Sequence, residues 1–237
     1  MTVQEHYSKY QIIPSLQLHQ YRVASVGLII GESMVGVKVD IDAVVKACLL
    51  HDMGNIIKFN MELFPQFFEP EGVQYWIEVK RTYIEKYGQD EHDATIAIAR
   101  EILSVIPTEA GIQKRSLDVA RDDNVSSRRV LELIEAIGFS NAKMNWESDD
   151  FSAKIAAYAD MRVEPFGVTS LRKRLEDGNK RFKLNKPDDV RQSFFEKMSE
   201  YLKRIEGQIF LKSTLTPEDI TEEGVKKRIP ELRSISL

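Results

Sequence analysis

The 237-residue sequence holds one cysteine, Cys48, so no intrachain disulfide can form, and a reducing, cytoplasmic setting is expected. No stretch approaches the run of about 18 apolar residues that a transmembrane helix needs, so no membrane partner is expected. The first ten residues are polar and lack the apolar segment of a signal peptide. No repeat of fixed period and no low-complexity tract occurs. Charge of one sign is also missing. The 33 basic and 37 acidic residues are interspersed and leave a net charge of −4, which argues against a surface for long nucleic acid. Histidine is scarce, with only His6, His19, His51 and His92, so the surroundings of each carry information.

What is present is enough apolar material, 43% of residues, for one sizeable core. Its spacing is helical. After Pro14, the residues Leu16, His19, Val23, Val26 and Ile30 recur every three or four positions and share a face from Ser15 to about Glu32. Ile41, Val44, Val45, Cys48 and Leu49 repeat the pattern up to His51-Asp52, and Gly54 is expected to stop that helix. From Ile56 to Tyr87 the chain is rich in aromatics and broken by Pro65, Pro70 and Gly72, which reads as short helices and loops whose rings are mostly core. Ala94, Ala97, Ile98, Ile102 and Val105 form a further helix behind an acidic first turn, ended by Pro107. A helix and a loop are expected over 111–124. Ser126 or Ser127 then caps a helix ending at Gly138, and Asp149 or Asp150 caps one that runs through Asp160. Helices are expected over about 169–182 and 188–205, and Thr216-Pro217-Glu218-Asp219 reads as the start of a short terminal one. Sustained period-two alternation is missing, so the core is expected to be all-α. The chain divides on this reading into a helical domain over 1–206 and a C-terminal extension over 207–237 packed on it.

Three of the four histidines fall on or beside apolar helix faces. Asp52 follows Cys48 by four residues, and Asp160 ends an alanine-rich face formed by Ala153, Ala156 and Ala157. Any one of these reads most simply as a satisfied core histidine or a helix-end aspartate. Buried carboxylates are costly unless paired or bound to a cation, so the set together asks for a common explanation, and a metal supplies one. His6, in a polar terminus, has no assigned role, and Cys48 reads as a small buried apolar residue.

Leu18-His19-Gln20-Tyr21-Arg22, Leu49-Leu50-His51-Asp52-Met53-Gly54-Asn55 and Tyr158-Ala159-Asp160-Met161-Arg162 occur in the order His, His-Asp, Asp. In this they resemble the motifs of the HD-domain superfamily of metal-dependent phosphohydrolases. The stretch Gly167 to Arg174 extends the resemblance, which spans roughly residues 10–185. It implies an all-α, HD-domain-like helical bundle around a central divalent metal, with His19, His51, Asp52 and Asp160 as ligands. Such a donor set suits Mn, Fe, Co, Ni, Zn or Mg. A metal there lowers the pKa of a bound water and polarises phosphorus, with Asp52 orienting the water.

Asp90-Glu91-His92-Asp93 resembles the helix that supplies a further histidine in binuclear members, which makes His92 a candidate general acid. No histidine follows it, which speaks against a second metal. Asn55 departs from the glutamate or lysine that relatives carry there, and it can contact substrate only by hydrogen bonding. Arg22 and Arg174 are the candidate phosphate contacts. Arg162, Lys58 and the basic run Arg172, Lys173, Lys180, Arg181 and Lys183 read mostly as solvated faces. The expected reaction is hydrolysis of a small phosphate ester, a phosphomonoester or phosphodiester, with nucleotides among the candidates. The alternative is a catalytically inactive module that binds a nucleotide or signalling phosphate as a regulator. Homo-oligomer formation is compatible with either.

Overall fold

A computed structural model describes residues 1–62, 65–104, 119–184 and 189–237, without the side chains of 119–124, 181–184 and 189–190. Eleven α-helices and one two-stranded hairpin occur among the described residues, so the chain is all-α in its core. The expectations for Val105, Pro107, Phe64, residues 111–118 and the side chains of Arg181 and Lys183 lie outside the described residues. No helix is long and apolar enough to cross a membrane among the described residues.

The centre is built on two helices packed along each other. Helix α1 (Val3–Lys9) opens the chain behind a capping box in which Thr2 and Glu5 satisfy each other's backbone N–H groups. Helix α2 (Pro14–Ser33) starts with Pro14, whose fixed φ suits the first helical position. Val23, Ala24, Val26 and Ile30 on it are fully buried, as are Tyr21 to within 1% and Gln20, so this helix is enclosed on several sides. Helix α3 (Ile41–Leu50) is capped by Asp40, which accepts from the Ala43 N–H. It packs along α2, where Val44 and Cys48 face Gly27, and Leu49 is fully buried. Withdrawing a side chain such as Leu49 from water contributes about 1.5–3 kcal/mol, which is what holds such helix pairs together.

Two elements follow at the edge of this centre. Helix α4 (Val73–Tyr87) replaces the short pieces expected there. Pro65 and Pro70 lie before it, so they shape the 3-10 turn Pro65–Phe68 and the loop and never interrupt the helix. Its rings are largely core: Phe68, Trp76 and Tyr83 are buried, and the Trp76 indole donates to the Phe68 carbonyl. Helix α5 (Glu91–Ile102) is capped by Asp90 as its acidic first turn requires.

Helix α6 (Val119–Ile137) runs through both Ser126 and Ser127, so neither is its cap. The Ser127 hydroxyl instead donates to the Leu103 carbonyl and ties α6 to the end of α5. After α7 (Ala142–Glu147), Asp150 caps α8 (Phe151–Asp160) and also receives Arg129 of α6 at 2.7 Å. Small residues on α8 let it close against α2, α3 and α6.

A hairpin of β1 (Val163–Glu164) and β2 (Gly167–Val168) follows, with Val163 opposite Val168. Helices α9 (Leu171–Leu184) and α10 (Asp189–Leu211) come next. Helix α10 packs on α7 and α8 and continues through residues 206 and 207 without a break. Thr216 and Pro217 open a single 3-10 turn, while α11 (Glu222–Arg233) starts later under Thr221. The terminal helix lies along α2, and the Val3 N–H donates to the Ile235 carbonyl at 2.9 Å, so both chain ends meet on the same side of the central helices. His6 on α1, stacked on Tyr10, is only 5% exposed, and burial pushes its imidazole below its ordinary range.

Candidate metal centre

His19 sits in the first half of α2, His51 caps the C-terminal end of α3, and Asp160 is the last residue of α8. Close packing of the three helices therefore brings residues from three distant parts of the chain to one point. The Asp160 Oδ1 is 3.2 Å from Nε2 of His19 and 3.4 Å from Nε2 of His51. The two imidazole centroids are 5.5 Å apart. One ligand atom from each of His19, His51 and Asp160 lies within 4.8 Å of the others, so this group can hold a metal ion.

Asp52, in the turn after α3, brings Oδ2 to 3.6 Å from Nε2 of both histidines. It stands beside the compact group of three without belonging to it. Its side chain is 19% exposed, much like that of Asp160 at 21%, so both carboxylates are only partly buried.

A second contact orients the His51 ring. Its Nδ1 is 2.8 Å from the Cys48 carbonyl, an acceptor, so Nδ1 carries the proton and donates. In the neutral ring the lone pair is then on Nε2, the nitrogen facing His19, Asp52 and Asp160. That Nε2 is buried and satisfied by no hydrogen bond. An unsatisfied buried nitrogen beside two carboxylates is what a cation would complete, so the residues present fit a divalent metal.

The electrostatics agree with that fit. Burial by itself would push the His51 imidazole down, but the Asp52 and Asp160 carboxylates outweigh it and raise it to about 9. Burial would likewise raise Asp160, yet the hydrogen bond with His19 and the nearby imidazole charges of His19 and His51 hold its carboxyl well below the usual range. Without a metal, these groups thus keep a positive charge where an ion would sit. The Cys48 thiol, fully enclosed, is pushed far up by burial and is neither a nucleophile nor a thiolate ligand at neutral pH.

The other candidates are placed differently. Gly54 does not stop α3, which has already ended at Leu50. Its backbone is αR, and the residue is small for another reason: an added Cβ would lie 2.3 Å from the Glu91 carbonyl oxygen and 2.8 Å from Ala94 Cβ. Its N–H donates to the Thr95 hydroxyl at 2.8 Å, which clamps the His51-Asp52 turn to α5. Asn55 is buried and its N–H donates to the Asp52 carbonyl, closing the same turn. His92 is exposed, and its Nε2 pairs with Glu135 at 2.7 Å, so it stands outside the ligand group.

Arg22 is only 6% exposed and is held by Glu222, with Nε and Nη2 at 3.1 and 2.9 Å from Oε1. Glu222 thus takes the Nε and Nη2 edge of the guanidinium that the sequence offered to a phosphate. Arg162 is also buried, donating to the Thr169, Pro217 and Ile220 carbonyls and to the Tyr158 hydroxyl. Lys58 pairs with Glu91, Arg172 with Glu176 and Lys173 with Glu164. Arg174 is partly buried, and its Nε has no hydrogen-bond partner among the described residues.

Sequence reasoning missed Glu222, Thr95 and the Cys48 carbonyl. Only the last left a signal, since a carbonyl three residues before a histidine at a helix end lies within reach of its ring. Compared with known proteins, the chain matches no protein-family model, no curated protein and no solved structure.

Proposed function

We propose that this chain is a metal-dependent phosphohydrolase of the HD-domain kind, acting on a small phosphate ester. The observation that carries the reading is the convergence of His19, His51 and Asp160, whose ligand atoms lie within 4.8 Å of one another. His19, His51 and Asp160 hold the ion, and Asp52 completes the set. Two imidazoles with two carboxylates suit Mn, Fe, Co, Ni, Zn or Mg. A bound ion of this kind supplies a water of lowered pKa and Lewis acidity toward a phosphoryl oxygen.

The chain's own groups do the rest. The Cys48 carbonyl fixes the His51 tautomer. Asp52, partly exposed at the edge of the site, accepts a proton from an attacking water through whichever oxygen is free. Arg174, partly buried on α9, is assigned the grip on a phosphate through its guanidinium. Asn55 serves the turn, and His92 serves a surface ion pair. Phosphomonoesters, phosphodiesters and nucleotides are the substrate candidates.

A second reading is favoured by one observation: Arg22 is neutralised by Glu222. Pairing Arg22 with Glu222 withdraws a charge that would stabilise a phosphoryl transition state, so a phosphate held there need not turn over. One experiment separates the two. Wild type and His51→Ala are loaded with each candidate metal, analysed for metal content, and assayed on p-nitrophenyl phosphate, bis-p-nitrophenyl phosphate and nucleotides. The enzyme reading expects metal and hydrolysis in the wild type and neither in the variant. Metal without turnover on any substrate supports the regulatory module. Hydrolysis that survives His51→Ala sinks the mechanism given above.

A further inference from the structure

We infer that Glu222, on the terminal helix, is a positioning residue of the metal centre; the inference rests on the metal-centre reading. Arg22 lies three residues after His19, about 4.5 Å further along the α2 axis. Its buried guanidinium is therefore a fixed positive charge next to a site built to take a cation. Glu222 neutralises it. The Oε1 accepts from Nε and Nη2 of Arg22 and lies 3.4 Å from Lys226 Nζ, while Oε2 accepts the Val168 N–H at 2.8 Å.

The same carboxylate spans two parts of the site. Val168 belongs to the hairpin that begins three residues after Asp160, so Glu222 links the helix carrying His19 to the segment leaving Asp160. Gly167 makes room for it. A Cβ at Gly167 would stand 2.9 Å from the Glu222 Oε2, and the φ of +147° there disfavours any side chain. A charge, a hydrogen bond and a glycine seat thus converge on one residue more than sixty positions away from the last ligand in sequence.

Loss of the carboxylate alone leaves the Arg22 charge buried and unpaired. That positive charge, one turn of α2 beyond His19, then acts unneutralised on the ligand group and opposes a bound cation. The effect falls on cation affinity and not only on folding.

The test is titration of the full chain with Mn²⁺ and with Zn²⁺ by calorimetry, with circular dichroism and thermal unfolding of each metal-free variant. Glu222→Gln, nearly the same shape without charge, is expected to weaken metal binding about tenfold, within the range that supporting residues of metal sites show. Glu222→Asp is expected to retain most of the affinity. Removing both charges, Arg22→Met with Glu222→Leu, is expected to restore affinity toward wild type although the clasp is gone. A purely structural role predicts the opposite order, with the double variant as weak as or weaker than Glu222→Gln, and that result overturns the inference. Equal affinity in wild type and a folded Glu222→Gln overturns it too and leaves the metal centre standing. Wild type that binds neither these ions nor Fe²⁺, Co²⁺, Ni²⁺ or Mg²⁺ overturns both.

Discussion

The His51 Nδ1 donates to the Cys48 carbonyl, 2.8 Å away and one helical turn back. The end of α3 leaves this carbonyl without an intrahelical partner, and the histidine that closes the helix uses it to turn its other nitrogen toward His19 and Asp160. A helix terminus thereby becomes part of a group that can hold a metal ion. His51→Ala is expected to remove bound metal, with affinity falling at least about 100-fold, since it deletes a ligand outright. Elemental analysis after dialysis measures this. Full metal content in the variant contradicts the ligand assignment.

The ionisation of His51 sets a pH dependence. Its imidazole is raised to about 9 in the metal-free protein, from an ordinary value of 6.5. Metal needs the neutral ring, so binding near neutral pH releases a proton, and affinity is expected to climb about tenfold per unit until pH approaches 9. Calorimetry in buffers of different ionisation enthalpy reports the released proton directly. Affinity that falls as pH rises from 7 to 9, before hydroxide precipitation intervenes, contradicts this.

Stability of the metal-free protein follows the same groups with the sign reversed. His51 has a raised folded value, so its contribution is complete below about 6.5 and is lost as pH rises through about 9. Asp160 has a lowered folded value, so its contribution is complete above its ordinary 3.8 and is lost as pH falls. Thermal unfolding of the chelator-treated protein is expected to show greatest stability between roughly pH 4 and 6.5 from these two groups. In the His51→Ala variant, the decline above that window is expected to shrink.

Gly54→Ala is expected to destabilise the fold by about 2–4 kcal/mol, because the new methyl meets the backbone of α5 rather than a movable side chain. Thr95→Val, which deletes the acceptor for the Gly54 N–H, is expected to cost about 1–3 kcal/mol. Urea unfolding gives both. A Gly54→Ala midpoint equal to wild type means that the turn bearing His51 and Asp52 is free to move away from α5.

His92→Ala is expected to leave metal content unchanged and stability within about 0.5 kcal/mol of wild type, as befits an exposed ion pair with Glu135. Any hydrolysis shown by the wild type is expected to persist. Turnover lost with metal retained restores His92 as a general acid.

The all-α character was legible in the sequence because helical periodicity is a local property. Leu16 to Ile30 and Ile41 to Leu49 announce their buried faces within two or three turns, and Asp150 marks a helix start by chemistry that acts over three residues. The candidacy of His19, His51 and Asp160 was legible for a related reason: polar groups on apolar faces stand out against their neighbours. Tertiary structure decided what those groups meet. It set the 3.2 Å and 3.4 Å approaches to Asp160, moved Asp52 to the border of the group, and gave His92 to Glu135. It also claimed Arg22 for Glu222, which no spacing rule could connect across 200 residues of chain. Periodicity says which face of a helix is buried, and only packing says against what. A charge that looks free in the sequence is free in the molecule only if no distant element folds back to neutralise it.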